Sequence, residues 1–110
     1  MPSQNRPVRG STTGRPLMAA LDLLGRRWTL RIMWELKSGP VGARALKKRC
    51  GAMSSSVLYT RLGDLREVGL VRQREDNLYE LTEIGRRLGK AIEPLDSWAQ
   101  RWSGEISSDE

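Results

Sequence analysis

The chain has 110 residues, with 19 basic against 13 acidic side chains for a net charge of +6, one cysteine and no histidine. That length gives one domain with tails around a single core, and the missing histidine removes the commonest general base. One cysteine without histidine excludes both an internal disulfide and a Cys/His zinc site. No apolar run approaches the roughly 20 residues that cross a bilayer, and no hydrophobic leader core is present. A cytoplasmic protein with no membrane partner, no metal, no cofactor and no enzymatic constellation is therefore expected.

Residues 1–15 are Pro, Gly, Ser, Thr and Arg with almost nothing to bury, and read as a disordered basic tail. A folded domain is expected over 16–104, and an acidic frayed end over 105–110. Pro16 suits the first turn of a helix, with Leu17, Met18, Leu21 and Leu24 as its apolar stripe and Gly25 as its stop. A second helix is expected from Trp28 to Lys37, with Trp28, Ile32 and Leu36 spaced i, i+4, i+8 and Gly39-Pro40 as terminator. A short third helix spans Ala43 to Cys50.

The turn Gly51-Ala52-Met53 leads into the most sharply punctuated stretch of the chain. Ser54 is a helix N-cap, and Met53 and Leu58 are spaced as a hydrophobic staple. Leu58, Leu62, Leu65 and Val68 then fall on one face, and Gly69 supplies the left-handed stop. The opposite face carries Ser55, Ser56, Tyr59, Thr60, Gly63 and Arg66, polar and nearly free of negative charge. Two short helices joined by a tight turn, the second polar-faced, outline a helix-turn-helix.

After Gly69 the period changes. Leu70 to Arg74 and Leu78 to Leu81 read as two strands around Glu75-Asp76-Asn77. A hairpin directly after a helix-turn-helix makes a winged helix, so the fold class is mainly α with a small β-hairpin (α+β). Thr82 caps a further helix, with Glu83 in its first turn. Its apolar stripe runs Ile84, Leu88, Ala91, Leu95, Trp98, Trp102, as two helices or as one kinked at Pro94. Trp98 and Trp102 each offer roughly 150–250 Å² to bury, more than so small a domain absorbs, so part of this stripe is expected to face a second subunit. The competing expectation is packing back onto the first helix.

Charge is unevenly spread. Residues 26–74 hold twelve basic residues against three acidic, whereas 75–110 hold four against nine. A basic block around a surface helix points to a polyanion, usually nucleic acid, or else to a solvated basic surface.

With these elements placed, the chain resembles the HxlR-type winged helix-turn-helix transcriptional regulators, close to the MarR group. The resemblance covers about Pro16 to Trp102. It rests on LDLLGRRWTL (residues 21–30), Gly39-Pro40, Leu46, Ser54, Leu58, Arg61-Leu62, Leu65, Gly69-Leu70-Val71 and YELTEIG (residues 79–85) in that order. It implies a homodimeric double-stranded-DNA-binding regulator that dimerises through its N- and C-terminal helices, here Leu17, Leu21, Leu24, Leu88, Leu95, Trp98 and Trp102. Many relatives carry a cysteine before the proline at Pro16, in some a sensor thiol; here Arg15 stands there. The wing is shorter than usual, and Ser56 replaces a common basic residue.

If the helix after Ser54 enters a major groove, Ser55, Ser56, Tyr59 and Thr60 face bases. None makes a bidentate base contact, so specificity per position is modest or arises from DNA shape. Ser54, Arg61 and Arg66 on that helix, Arg44, Lys47 and Lys48 before it, and Arg72 and Arg74 at the wing base are expected phosphate contacts, Arg61 because relatives keep an arginine there. Glu75 and Asp76 turn the wing tip away from phosphate. Gly63 serves close backbone approach or nothing in particular. Cys50 reads as buried core, with a sensor thiol as alternative. Trp28, Trp34, Trp98 and Trp102 are candidates to line a pocket for an unidentified small-molecule effector, or else a core stack. The function expected is a sequence-specific homodimeric transcriptional regulator on a pseudo-palindromic operator; the alternative is a winged-helix protein-interaction module with no DNA role.

Overall fold

The computed structural model describes residues 15–108. The tail expected over 1–15 lies, except for Arg15, outside the described residues. Five helices and one hairpin follow in the order α1 (Pro16–Leu24), α2 (Thr29–Glu35), α3 (Ala43–Cys50), α4 (Ser55–Glu67), β1 (Val71–Gln73), β2 (Tyr79–Leu81) and α5 (Glu83–Ser108). This is a winged helix-turn-helix, as the punctuation of the sequence predicts.

One core lies beneath α2, α3, α4 and the hairpin. Ile32, Leu46 and Leu65 are wholly buried at its centre, with Leu36, Met53, Leu58, Leu62, Val71, Tyr79 and Leu81 around them. The apolar residues of α4 fall on one side because 4-3-3 spacing keeps them within one turn's arc. Met53 and Leu58 are both buried, which anchors the entry of α4 as a staple does. At its other end Gly69 adopts φ +81, Gly69 N–H donates to Arg66 O at 3.1 Å, and Leu70 N–H donates to Leu65 O at 2.9 Å. Those two bonds are the Schellman pattern, and they turn the chain straight into β1.

The hairpin pairs Val71 with Leu81, Arg72 with Glu80 and Gln73 with Tyr79. Each strand is shorter than expected from sequence: Leu70 belongs to the helix stop, and Arg74 and Leu78 close the turn through Arg74 N–H to Leu78 O at 2.7 Å. Asn77, at φ 70, takes the left-handed position of a three-residue loop. Val41 adds an unforeseen third edge, exchanging two 2.9 Å backbone hydrogen bonds with Tyr79. This bridge seats the hairpin against the segment that leads into α3.

Helix limits give two further differences and decide between two expected forms. Trp28 does not open α2; it precedes the helix in a left-handed conformation, φ 78, which lets the chain reverse from α1 into α2 over four residues. Of the two forms expected around Pro94, the last helix takes the undivided one and runs for 26 residues as a single element. That helix also continues through residues 105–108, past the boundary expected at 104. Among the described residues no helix is long and apolar enough to cross a membrane.

The start of α5 is fastened at two adjacent carbonyls. Thr82 N–H donates to Leu70 O at 3.0 Å, the Thr82 hydroxyl donates to Gly69 O at 2.6 Å, and Gly85 N–H donates back to that hydroxyl at 3.1 Å. Gly85 is buried there, and a Cβ built on it falls 2.1 Å from Leu70 O. The Leu-Thr-x-x-Gly spacing thus follows from the contact: threonine caps and bridges, and glycine lets the helix touch the preceding backbone.

Candidate nucleic-acid interface

The first turn of α4 is shaped by its cap. Ser54 sits in extended backbone, and its Oγ accepts from Val57 N–H at 3.1 Å, satisfying one of the helix's unpaired donors. Ser55, Ser56, Tyr59 and Thr60 are all exposed on the side away from the core. Together they present three hydroxyl-bearing short side chains and one phenol, with no carboxylate on the first two turns.

Helix α3 lies beside this face and contains no acidic residue. Arg44 and Lys48 are exposed and Lys47 is half-buried, and none of the three forms an ion pair among the described residues. Lys47, Lys48 and Arg49 occupy its last turn, where the helix dipole favours cations.

The other expected phosphate contacts are placed differently. Arg72 Nε donates to Glu80 Oε2 at 2.6 Å across the hairpin, a pair set by the strand register. Arg74 reaches Asp76 at 3.0 Å and Glu80 at 4.0 Å, and Arg66 donates to Gln73 Oε1 at 3.4 Å. Every cation of the wing therefore faces an acid of the wing, and Asp76 also accepts from Leu78 N–H within the turn. Arg61 points back into the protein: its Nε donates to Arg27 O at 2.8 Å and its NH1 to Asp64 Oδ2 at 3.4 Å. Arg26 reaches the same Asp64 oxygen at 3.3 Å. Asp64, Arg26 and Arg27 had no place among the expected site residues, although the i, i+3 spacing of Arg61 and Asp64 is a readable signal for such a pair.

The apolar stripe of α5 is outward. Leu17 and Leu21 on α1 are 65% and 50% exposed, and Leu95, Trp98 and Trp102 on α5 are 55%, 51% and 50% exposed. Trp98 and Trp102 stack with centroids 5.6 Å apart and planes 8° from parallel, so each ring covers part of the other and leaves a face to solvent. The expectation that they pack back onto α1 within the chain is not met. Leu24 and Leu88, expected with them, instead pack half-buried against the chain's own core.

The four tryptophans do not share a cavity. A groove of about 360 Å³ lies between α2 and α5, lined by Trp34 with Leu30, Met33, Ile92 and Leu95, and not by Trp28, Trp98 or Trp102. Lys37 Nζ sits 3.9 Å over the Trp34 ring and 3.8 Å from Glu93. Cys50 is buried at the end of α3. Burial pushes its thiol above the ordinary cysteine range, with Arg31 pulling the other way and Glu35 adding to the rise.

The profile described as HxlR-like helix-turn-helix matches residues 23–107. An uncharacterized HTH-type transcriptional regulator of Mycobacterium tuberculosis is 36% identical over 99 residues, covering 84% of this chain and 60% of that protein. This chain thus spans about three-fifths of the length of that relative. Among solved structures, quinone-bound YodB from Bacillus subtilis superimposes with a TM-score of 0.74 at 28% identity, covering 77% of this chain and 96% of that one. A possible HxlR family transcriptional factor from Thermoplasma volcanium gives 0.70 at 28% identity, covering 80% and 84%. The capped polar helix, the basic helix before it and the short wing after it accordingly belong to a member of the HxlR-like helix-turn-helix family.

Proposed function

We propose that this chain is a homodimeric transcriptional regulator that binds double-stranded DNA through α4. The observation that carries this reading is the pairing pattern of its cations. Those of the wing are neutralised by neighbouring acids, while Arg44, Lys47 and Lys48 stand without ion pairs beside the uncharged reading face of α4. In this reading Ser55, Ser56, Tyr59 and Thr60 meet base edges, Ser54 and the three α3 cations hold phosphates, and the wing makes at most a backbone contact. Dimerisation joins the exposed stripes of α1 and α5, and two α4 helices then read half-sites about 34 Å apart on a pseudo-palindrome. A small-molecule effector fits this scheme best in the α2–α5 groove, which opens beside the α5 stripe.

The test is fluorescence anisotropy with duplexes selected from a random pool, repeated across a salt series. Three phosphate-binding cations per protomer predict a log–log salt slope of about −5 for the dimer. A slope near zero overturns the reading. The acid-paired wing favours one competitor, a protein-interaction module without DNA. Size-exclusion chromatography with and without selected duplex separates the two, since only the regulator co-elutes with DNA.

A further inference from the structure

We infer that Arg61 is a positioning residue: with Asp64 it latches the α1–α2 connection to the reading helix, and it does not bind phosphate. The inference rests on the reading of α4 as the DNA-contacting helix. Arg61 spends two of its donors inside the protein, Nε on Arg27 O at 2.8 Å and NH1 on Asp64 Oδ2 at 3.4 Å. Its side chain is 23% exposed and that of Asp64 13%, so water screens the pair only partly. Arg26 approaches the same carboxylate oxygen at 3.3 Å. One carboxylate on α4 therefore gathers two guanidiniums, one from its own helix and one from the connection.

The segment that is latched has reason to need it. Between α1 and α2 the chain reverses through Trp28 at φ 78, a conformation a bulky residue rarely holds without support from its surroundings. The Arg27 guanidinium lies 5.2 Å over the Trp28 ring, and the ring packs against the core. Arg61 holds the carbonyl directly before this strained residue. It also follows Thr60 in sequence and lies two residues from Tyr59, so the same side chain ties the exposed face of α4 to the connection that follows α1. Helix α1 in turn carries exposed Leu17 and Leu21. The latch thus joins the surface proposed to meet a second copy to the surface proposed to meet DNA.

A phosphate-binding arginine and a latch answer differently to changes at Asp64. If Arg61 held phosphate, Asp64→Asn would remove a nearby anion, release the guanidinium and strengthen DNA binding. If Arg61 is a latch, Asp64→Asn weakens operator binding, as Arg61→Gln does, and the double variant loses little more than either single one. The salt slope gives a second, independent readout. Loss of one phosphate contact per protomer flattens the log–log slope by about 1.8 for a dimer, whereas loss of a latch leaves it unchanged.

The experiment measures wild type, Asp64→Asn, Arg61→Gln and the double variant on a duplex selected by the wild type and on an unrelated duplex, across a salt series. Expected is a loss of about tenfold or more on the selected duplex, comparable to a weakened base contact per half-site. Unrelated DNA should be bound as before, with an unchanged slope. Tighter binding by Asp64→Asn, or a flatter slope for Arg61→Gln, overturns the latch and restores the phosphate role. Should Arg61→Gln fail to fold, Arg61→Lys serves: it keeps the charge but loses the two-nitrogen geometry, so a phosphate ligand tolerates it and a latch does not. Failure of the wild type itself to bind any duplex refutes the DNA reading instead, and the latch role with it.

Discussion

Replacing Gly85 with alanine sets two effects of opposite sign against each other. Gly85 is the third residue of α5, where alanine is worth about 1 kcal/mol over glycine by helix propensity alone. Against this, the added Cβ falls 2.1 Å from Leu70 O and 3.1 Å from Leu70 C, and both are backbone atoms. Relief requires α5 to retreat from the end of α4, and the Thr82 N–H to Leu70 O bond at 3.0 Å lies across that gap. Overpacking costs about 1–3 kcal/mol and an impaired buried hydrogen bond about 1–3 more, which after the propensity gain leaves a net loss of about 1–5 kcal/mol. In a domain of this size that lowers the thermal midpoint by roughly 5–40 °C. Thermal unfolding by circular dichroism, at fixed protomer concentration, reads the change. Gly63→Ala is the control: a Cβ there meets nothing within 4 Å, so propensity acts alone and stability rises by about 1 kcal/mol. A Gly85→Ala protein as stable as wild type would refute the claim that Gly85 exists for the Leu70 contact.

Three other changes have defined outcomes. Trp102→Ala removes a half-exposed ring whose remaining face is worth about 2 kcal/mol in each protomer, so the proposed dimer weakens by about a thousandfold; light scattering at micromolar concentration should find monomer, and an unshifted equilibrium would clear α5 of the role. Glu80→Gln releases Arg72 and Arg74 from their shared acid. Binding to unrelated DNA should tighten several-fold with a steeper salt slope, and no change would mean that the wing stays clear of phosphate whatever its charge. Cys50 should resist iodoacetamide at pH 7.5 in the native protein and react once unfolded, because the thiol is buried from reagent and burial lowers its thiolate fraction further. Its folded pKa lies above the unfolded one, so its contribution is present below the unfolded value and is lost as pH rises through the folded value. Native-state alkylation as fast as in the unfolded chain would contradict that.

What the sequence made readable was local. The limits of α3 and α4, the Ser54 cap, the staple and the Gly69 stop all rest on neighbours within five residues, and each stands where expected. What it hid was set by distant partners. Trp28 reads as the first residue of a helical stripe, and only its ring's packing and the Arg61 contact to Arg27 O explain a left-handed backbone there. Val41 pairs with Tyr79 across 38 residues, beyond any local pattern. The exposed face of α4 was legible residue by residue. The contacts of the surrounding arginines were not, because Arg61, Arg66, Arg72 and Arg74 each find a partner that composition alone cannot assign.

The outer half of α5 has a bearing on how such a molecule responds to its own abundance. Beyond Leu95 the helix offers Trp98, Trp102 and Ile106 to solvent, each about half exposed, and a helical segment of that length is marginal in water without something to pack on. Under the proposed dimerisation, order in that segment and association of two chains become a single equilibrium. Occupancy of a two-fold site would climb with roughly the square of protein concentration at low copy number. A small rise in synthesis would cross a threshold, and the ladder of rings at the end of one helix would set where that threshold lies.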